Sequence, residues 1–293
     1  MGVMGPTAVQ WRSLVLATGA DAPYRLLSLE GWEELPPARY EKQARLNAHG
    51  AHRSAVYSDE RLVVVEGFSW SAAERDELLR ELRAATVFGE GDDTEPLTVT
   101  AAGRTLTAGA QLLQARPMLT RGEWGVGRFG WLLQWRCPDP LRYGPPDTDS
   151  TGLPTVGGGL TYPLTYPLQY GVVGATGRIT LTNPGTAEAP MVLTVRGPLP
   201  QGFEVSDDRG RRLTYAAPVP DGQTVELDTA AGTVMVEGTA SRRGNLSHAD
   251  WLTVPAADPF TDEPGVVTLQ FTSLGGDNDA AVELSATWSE TTW

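Results

Sequence analysis

Hydrophobic and polar residues alternate with a period of two along much of this chain, most clearly between Gly127 and Arg136. Phe129, Trp131, Leu133 and Trp135 share one parity; Gly130, Leu132, Gln134 and Arg136 share the other. Large apolar side chains at every second position predict a β-strand with one face buried. Ala8–Leu16, Tyr24–Leu29 and Leu112–Pro117 have strand-like composition. Arg61-Leu-Val-Val-Val-Glu66 is a short run of β-branched residues and reads as a buried central strand. Leu97–Thr100 and Arg104–Thr107 flank Ala101-Ala-Gly103, a spacing that predicts a tight hairpin.

One stretch follows the helical period instead. Ser71 stands three residues before Glu74, the spacing of a capping box, in which two amides at the helix start are satisfied reciprocally. Leu78, Leu79 and Leu82 then fall on one face, and Asp76 and Arg80 are placed to pair on the other. Gly89 and Gly91 lie beyond an end expected near Thr86. The helix is expected to pack on a sheet.

The pattern breaks at Cys137-Pro-Asp-Pro-Leu-Arg-Tyr-Gly-Pro-Pro146. Proline lacks an amide donor and holds its predecessor extended, so neither helix nor central strand is expected to run through this patch. It closes an N-terminal domain, 1–146. Residues 147–174 read as an extended connector rich in Gly, Pro and Tyr, with Thr-Tyr-Pro-Leu at 161–164 and again at 165–168. Residues 175–293 read as a second domain. There Ile179/Leu181, Leu193/Val195, Val225/Leu227, Val234/Val236, Val267/Leu269/Phe271 and Val282/Leu284/Ala286/Trp288 each fall on one face. Turn chemistry separates them at Asn183-Pro-Gly185, Pro220-Asp-Gly222, Ala231-Gly232 and Gly275-Gly-Asp277. Short strands so spaced predict a β-sandwich or jelly roll. The fold class is mainly β: an α+β N-terminal domain with one helix packed on a β-sheet, then an all-β sandwich.

Composition narrows the function. At 293 residues the chain can build two cores. Its longest apolar run, Leu62–Val65, is far too short to span a membrane, and the first residues carry no secretory pattern. A lone cysteine, Cys137, excludes an intramolecular disulfide and reads as a small buried hydrophobe. The net charge of −13 is uneven: 16 Arg and Lys against 18 Asp and Glu give −2 over 1–146, whereas 7 against 18 give −11 over 147–293. An acidic second half argues against tight nucleic-acid binding, which needs cations at the phosphates.

Catalytic constellations are missing from the sequence. His49 and His52 would need a third metal ligand, for which Glu41 or Asp59 is nominally available, but they read as exposed loop histidines. Ser247-His-Ala-Asp250 is too local for a triad, whose members converge from separate elements. The acidic pairs Asp92/Asp93, Asp207/Asp208, Asp262/Glu263 and Asp277/Asp279 sit in loop contexts and read as solvated turn residues, with at most a weak calcium site at the last. Gly157-Gly-Gly159 lacks the lysine and helix of a phosphate loop. Arg209/Arg211/Arg212 and Arg242/Arg243 read as solvated clusters. Of nine tryptophans, Trp131, Trp135 and Trp288 look like core; Trp11, Trp32, Trp70, Trp124, Trp251 and Trp293 are less determined. No catalytic, cofactor-binding or metal-ligating residue is assigned, and no partner-binding residue is identified.

The ordered set of segments resembles a known family. Leu29-Glu-Gly-Trp32 with Pro37-Ala-Arg39 and Gly50-Ala-His52, then Arg61–Trp70, then Asp139-Pro-Leu-Arg-Tyr143, resemble the N-terminal domain of the distal tail proteins of long-tailed, non-contractile bacteriophages. Thr239-Ala-Ser-Arg-Arg-Gly-Asn-Leu246, Trp251-Leu252 and Val266–Phe271 resemble the last strands of that family's galectin-like C-terminal domain. The Tyr-Pro-Leu repeat has no counterpart in every member, and the sugar-binding constellation of true galectins is absent, so a galectin-like fold would not imply lectin activity. The resemblance implies a structural, non-enzymatic virion protein without cofactor at the tail tip. It would form a homo-hexameric ring between the tail tube protein and the tail-tip hub, near the receptor-binding proteins, with an open channel for DNA. Neither membrane nor sequence-specific nucleic acid would be a partner, and the acidic half would serve solubility or docking. Two other readings compete: a carbohydrate-binding module using exposed tryptophans of the C-terminal half, and a polysaccharide hydrolase carried by an unrecognised carboxylate pair.

Overall fold

A computed structural model describes residues 7–47, 49–89, 91–154, 176–276 and 281–293. The chain divides into two compact units: Met1–Pro145 with Trp293, and Pro146–Thr292.

In the first unit the strands are β1 (Thr7–Trp11), β2 (Leu14–Ala17), β3 (Tyr24–Glu30), β4 (Ala38–Tyr40), β5 (Val56–Ser58) and β6 (Arg61–Trp70). After helix α1 (Arg75–Ala85) come β7 (Glu95–Ala101), β8 (Arg104–Met118), a short helix α2 (Arg121–Gly125) and β9 (Arg128–Cys137). Strand β10 (Arg142–Gly152) begins in this unit and ends in the next. Following the hydrogen-bonded neighbours from β8 through β7, β1, β2, β3, β6 and β9 leads back to β8, so seven strands close into a barrel. Six of these pairings are antiparallel; β2 and β3 run parallel, with only Leu16 opposite Tyr24 and Ala17 opposite Arg25. Closure removes exposed strand edges.

The period-two pattern fills the barrel. Phe129, Trp131, Leu133 and Trp135 are buried in one core with Val9, Leu14, Val63, Val65 and Leu97, and the Trp11 and Trp135 ring centroids are 5.6 Å apart. Helix α1 buries Leu78, Leu79, Leu82 and Ala85 in the same core. The hairpin expected at Ala101–Gly103 is present; Ala102 and Gly103 both take positive φ (51° and 81°), as a tight two-residue hairpin turn requires.

Several expectations change in detail. Ala8–Leu16 is two strands joined by a turn in which Arg12 adopts φ 51°, and Leu112–Pro117 is the end of one long β8 bent by a bulge between Leu112 and Gln114. Leu62 is exposed, because strict alternation from a buried Arg61 turns it outward. The capping box is not realised at the helix start: Glu74 is itself the N-cap of α1 and has no side-chain cap, its amide donates to Ser71 Oγ (3.1 Å) in the turn before the helix, and the Ser71 amide donates to Gly127 O (3.0 Å). Arg80 pairs with Glu77, one turn back, not with Asp76. Strand β10 runs through Pro145 and Pro146; its rung to β8, Tyr143 opposite Thr107, comes before them, and both prolines are exposed.

The second unit contains β11 (Arg178–Asn183), β12 (Ala189–Arg196), β13 (Phe203–Asp207), β14 (Arg212–Tyr215), β15 (Thr224–Asp228), β16 (Thr233–Val236), β17 (Ala240–Ser241), β18 (Leu246–Ala249), β19 (Thr253–Val254), β20 (Gly265–Ser273) and β21 (Glu283–Thr292). One sheet has the order β17-β16-β15-β12-β21 and the other β11-β20-β13-β14-β18. Their inward positions, among them Leu181, Leu193, Val205, Leu227, Leu269 and Leu284, form one core. It is a β-sandwich, and the chain as a whole is mainly β.

Candidate functional site

Arg61 organises one end of the first unit. Its side chain is fully buried, and Nη1 donates to Gly31 O (2.8 Å), Trp32 O (2.8 Å) and Glu34 O (2.7 Å), while Nε donates to Pro140 O (3.0 Å). Burial pulls this guanidinium down to about 10, with the nearby positive charge of Arg142 adding to the effect. Arg142, also buried, pairs with Glu33 (3.0 Å), donates to the carbonyl of Trp293 and lies 5.6 Å from the Trp32 ring centroid. Two buried arginines thus fix residues 31–34, where the chain leaves β3.

From that anchor the chain runs into a segment with no buried residue among those described between Glu33 and Glu60. Among the described residues, strands β4 and β5 pair with each other and with no other strand. Their surroundings are apolar as well as exposed: Leu46 is 99% and Leu35 76% exposed, and Tyr40, Val56 and Tyr57 are each more than half exposed. Between Leu35 and Ser58, four cations (Arg39, Lys42, Arg45, Arg53) accompany a single carboxylate, Glu41. None of the four makes an ion pair among the described residues. This hairpin arm carries the chain's one lysine.

A cleft of about 240 Å³ opens elsewhere on the same unit, lined by Trp11, Phe88, Leu113, Asp92 and Asp93 among others. Arg12, placed by its positive φ, shapes it. Its Nη1 donates to Ala85 O (3.0 Å) and Val87 O (2.8 Å) at and beyond the end of α1, and its Nε to Glu95 Oε2 (2.6 Å) at the start of β7. The hydrogen bond from Arg12 holds the Glu95 carboxyl below the usual carboxylate range. Gln111 Nε2 donates to the backbone of Asp92 (2.8 Å), which fixes the acidic loop at the rim.

The residues singled out by sequence do not assemble into a reaction centre. His49 and His52 are exposed on the arm, as is Glu41, and no group of three or more metal-ligating side chains occurs among the described residues. His248 Nε2 and Asp250 Oδ2 are 2.8 Å apart, which lowers the Asp250 carboxyl, but Ser247 Oγ donates to Thr214 O and takes no part. Asp207 is not a solvated turn acid: its buried carboxylate accepts from the amides of Arg209 (3.0 Å) and Arg211 (2.8 Å) and from Arg211 Nε (2.8 Å). Arg209 and Arg211 are likewise tied down, both donating to Thr253 O. Arg243 lies over Trp251, 5.5 Å from the ring centroid. Gly157–Gly159, the Thr-Tyr-Pro-Leu repeat and Asp277/Asp279 lie outside the described residues.

Of the undetermined tryptophans, Trp11 and Trp32 are buried, Trp124 stacks on Arg75 (3.9 Å) and Trp70 is 69% exposed. In the C-terminal unit Trp288 is buried and Trp251 half-buried. Cys137 is fully buried, and desolvation pushes its thiol up to about 11. Sequence reading does not single out the arm or the cleft; the concentration of cations between Arg39 and Arg53 is the one signal it holds for them.

No protein-family model and no curated protein sequence matches this chain. Among solved structures, the Dit (gp 19.1) protein of phage SPP1, described as a paradigm of the hub adsorption apparatus in phages infecting Gram-positive bacteria, aligns with a TM-score of 0.64. The alignment covers 97% of this chain and 98% of that one at 12% identity. The chain has the fold of SPP1 Dit. Two structures of the phage P2 baseplate in its activated conformation, with calcium and with strontium, align at TM-scores of 0.46 and 0.43. Both show 14% identity and cover 96% of this chain and 97% of theirs. The fold assignment rests on SPP1 Dit.

Proposed function

We propose that this protein is a distal tail protein: a non-enzymatic virion component of the phage tail tip. Six copies form a ring that joins the tail tube to the adsorption apparatus and leaves a passage for DNA. The observation that carries this reading is the end-to-end match of both units to SPP1 Dit, a hub protein, over nearly the whole of each chain. The exposed apolar arm supports it. An isolated two-stranded hairpin is marginal in water, so residues of this kind are expected to be covered in the working assembly. Each subunit in a ring presents one surface to its neighbour and receives another, and the contact closes when the rotation permits. The tail tube protein, the tip hub and receptor-binding proteins are the partners this position implies.

No observation favours sugar binding by the C-terminal unit, since Trp288 is buried and Trp251 lies beneath Arg243. The deciding experiment is the solution mass of the purified full chain by light scattering, with negative-stain imaging of the same fraction. A six-fold ring with an open centre is expected. A monomer at every concentration tested would overturn the ring.

A further inference from the structure

We propose that a pocket beside Trp70, on the outer surface of the first unit, binds a neutral saccharide: a sugar ring lies on the exposed indole and its hydroxyls bond to Asp21, Glu74 and Arg25. The site goes beyond the assembly role and does not depend on it.

The pocket, of about 280 Å³, lies where β6 ends and the chain turns into α1. Its lining includes Asp21, Arg25, Phe68, Trp70, Glu74 and Leu78. That volume sits near the lower end, roughly 300 Å³, of small-molecule pockets, and suits a short saccharide segment. Leu78 is buried and Phe68 half-buried, so part of the lining is apolar. Trp70 shares the outward face of β6 with Phe68 and stays 69% exposed; no other described tryptophan is exposed by as much as half.

Trp70 is fixed in place. Its Nε1 donates to Val126 O (3.2 Å), so its one polar atom is satisfied within the chain and the ring is what it offers a ligand. The Ser71 amide donates to Gly127 O (3.0 Å), and a Cβ on Gly127 would lie 2.5 Å from Ala72 Cα, so the strand exit and the turn before β9 are locked together. The Ala20–Pro23 wall is held too. Arg25 donates to the Ala20 carbonyl, and Tyr24 Oη donates to Leu78 O (2.8 Å) on α1. A platform already in position loses little freedom when a ligand lands on it.

The charges select the ligand. Asp21, Glu74 and Arg25 make no ion pair among the described residues. An anion would meet two carboxylates. A cation would meet Arg25, and the Phe68 ring already has two guanidinium groups over it, Arg25 at 5.3 Å and Arg128 at 4.4 Å from the centroid. A wholly apolar group would strip water from three charges and return no hydrogen bond, which costs free energy. A sugar avoids all three penalties. Hydroxyls donate to carboxylates and accept from a guanidinium, and hydrogen bonds to charged groups are the stronger kind. The C–H face of the same ring covers the indole.

The test is isothermal calorimetry on the full chain with chitotetraose, cellotetraose and maltotetraose, each to about 10 mM. At least one is expected to bind. Trp70→Ala is expected to abolish that binding, Trp70→Tyr to keep it within about tenfold, and Asp21→Ala with Glu74→Ala to weaken it by about tenfold or more. All three positions are exposed, and urea midpoints and light scattering check that each variant folds and assembles as the wild type does. No binding of any of the three saccharides would overturn the site, as would binding that Trp70→Ala leaves unchanged. A Lys-Arg-Lys peptide that binds where every saccharide fails would assign the pocket to a basic partner and reject the proposal. A Trp70→Ala protein whose solution mass differs from wild type would place Trp70 between copies and reject it as well. The ring itself is judged separately, from the wild-type mass.

Discussion

The indole of Trp131 occupies the space that a side chain on Gly67 would need. The two residues are opposite one another on β9 and β6, and a Cβ built on Gly67 would lie 2.3 Å from Trp131 Cζ2 and 2.2 Å from Arg25 O. The glycine's role is steric. Gly67→Ala is expected to destabilise the barrel by about 1–3 kcal/mol through overpacking. Gly109→Ala, whose Cβ would first meet the exposed Thr94 side chain rather than backbone or an indole, is expected to cost less than about 1 kcal/mol. Urea midpoints of the two variants check the difference, and equal shifts would reject the steric account.

Arg61 is expected to be worth more than any surface charge. Arg61→Met removes the donors to Gly31, Trp32, Glu34 and Pro140 carbonyls at once and is expected to cost about 3–5 kcal/mol. Arg61→Lys is expected to rescue little of it. One ammonium on a straight stem cannot serve both sets of carbonyls that Nε and Nη1 reach. Chemical denaturation of the three proteins measures this, and full rescue by lysine would show that charge alone matters.

Cys137 sets an alkaline limit. Its thiol is held at about 11 in the fold against an ordinary value of 9.0, because burial disfavours the thiolate. A raised folded value means that the stabilisation is fully present below pH 9 and is lost as the pH rises towards 11. The loss attributable to this residue is about 2–3 kcal/mol. The tyrosines Tyr24 and Tyr143, raised mainly by burial and then by Glu81 and Asp139 respectively, act in the same direction above their ordinary value of 10.0. The stability of Cys137→Ala relative to wild type, followed from about pH 7 to about pH 11, isolates the thiol. A difference that does not change with pH would contradict this.

Asp207 and Asp208 are neighbours with unequal roles. Asp207→Asn puts an amide nitrogen where a fully buried carboxylate now meets Arg209 and Arg211, and is expected to cost about 2–4 kcal/mol. Asp208 is exposed and accepts one bond from the Thr268 amide (3.2 Å), so Asp208→Asn is expected to stay within about 1 kcal/mol. Thermal melts of both variants compare them directly.

These cases also mark what can be read from sequence. The barrel strand 128–137 declares itself because four large apolar residues repeat at period two, and α1 because Leu78, Leu79 and Leu82 fit one helical face. Strands 203–207 and 212–215 do not stand out although Phe203 and Val205 alternate, since so short a run is easily lost between turns. Arg61 is legible only as a charge: the carbonyls that bury it come from residues some 30 positions before and some 80 after it, and no local pattern predicts their convergence. Asp207 departs from expectation for a different reason. Its partners are two and four residues away, so Asp-Asp-Arg-Gly-Arg holds the signal of a side-chain-to-backbone turn that a reading of solvated acids passes over. Leu46 and Tyr57 cannot be told from core residues by sequence, because exposure is a property of what the rest of the chain fails to cover.

The parallel pair β2 and β3 has a topological cause. Around a closed cylinder, strand directions can alternate without exception only if their number is even. With seven staves, one neighbouring pair must point the same way, and here that mismatch falls at the seam closed by Leu16 and Ala17 against Tyr24 and Arg25. Parallel neighbours ordinarily need a long crossover. The six residues from Thr18 to Pro23 suffice because β3 starts alongside the end of β2 and overlaps it by two positions. The cylinder is therefore fastened unevenly, with ten rungs between β6 and β9 and two at the seam. Any widening or flexing of the barrel would begin there, where the fewest bonds must part.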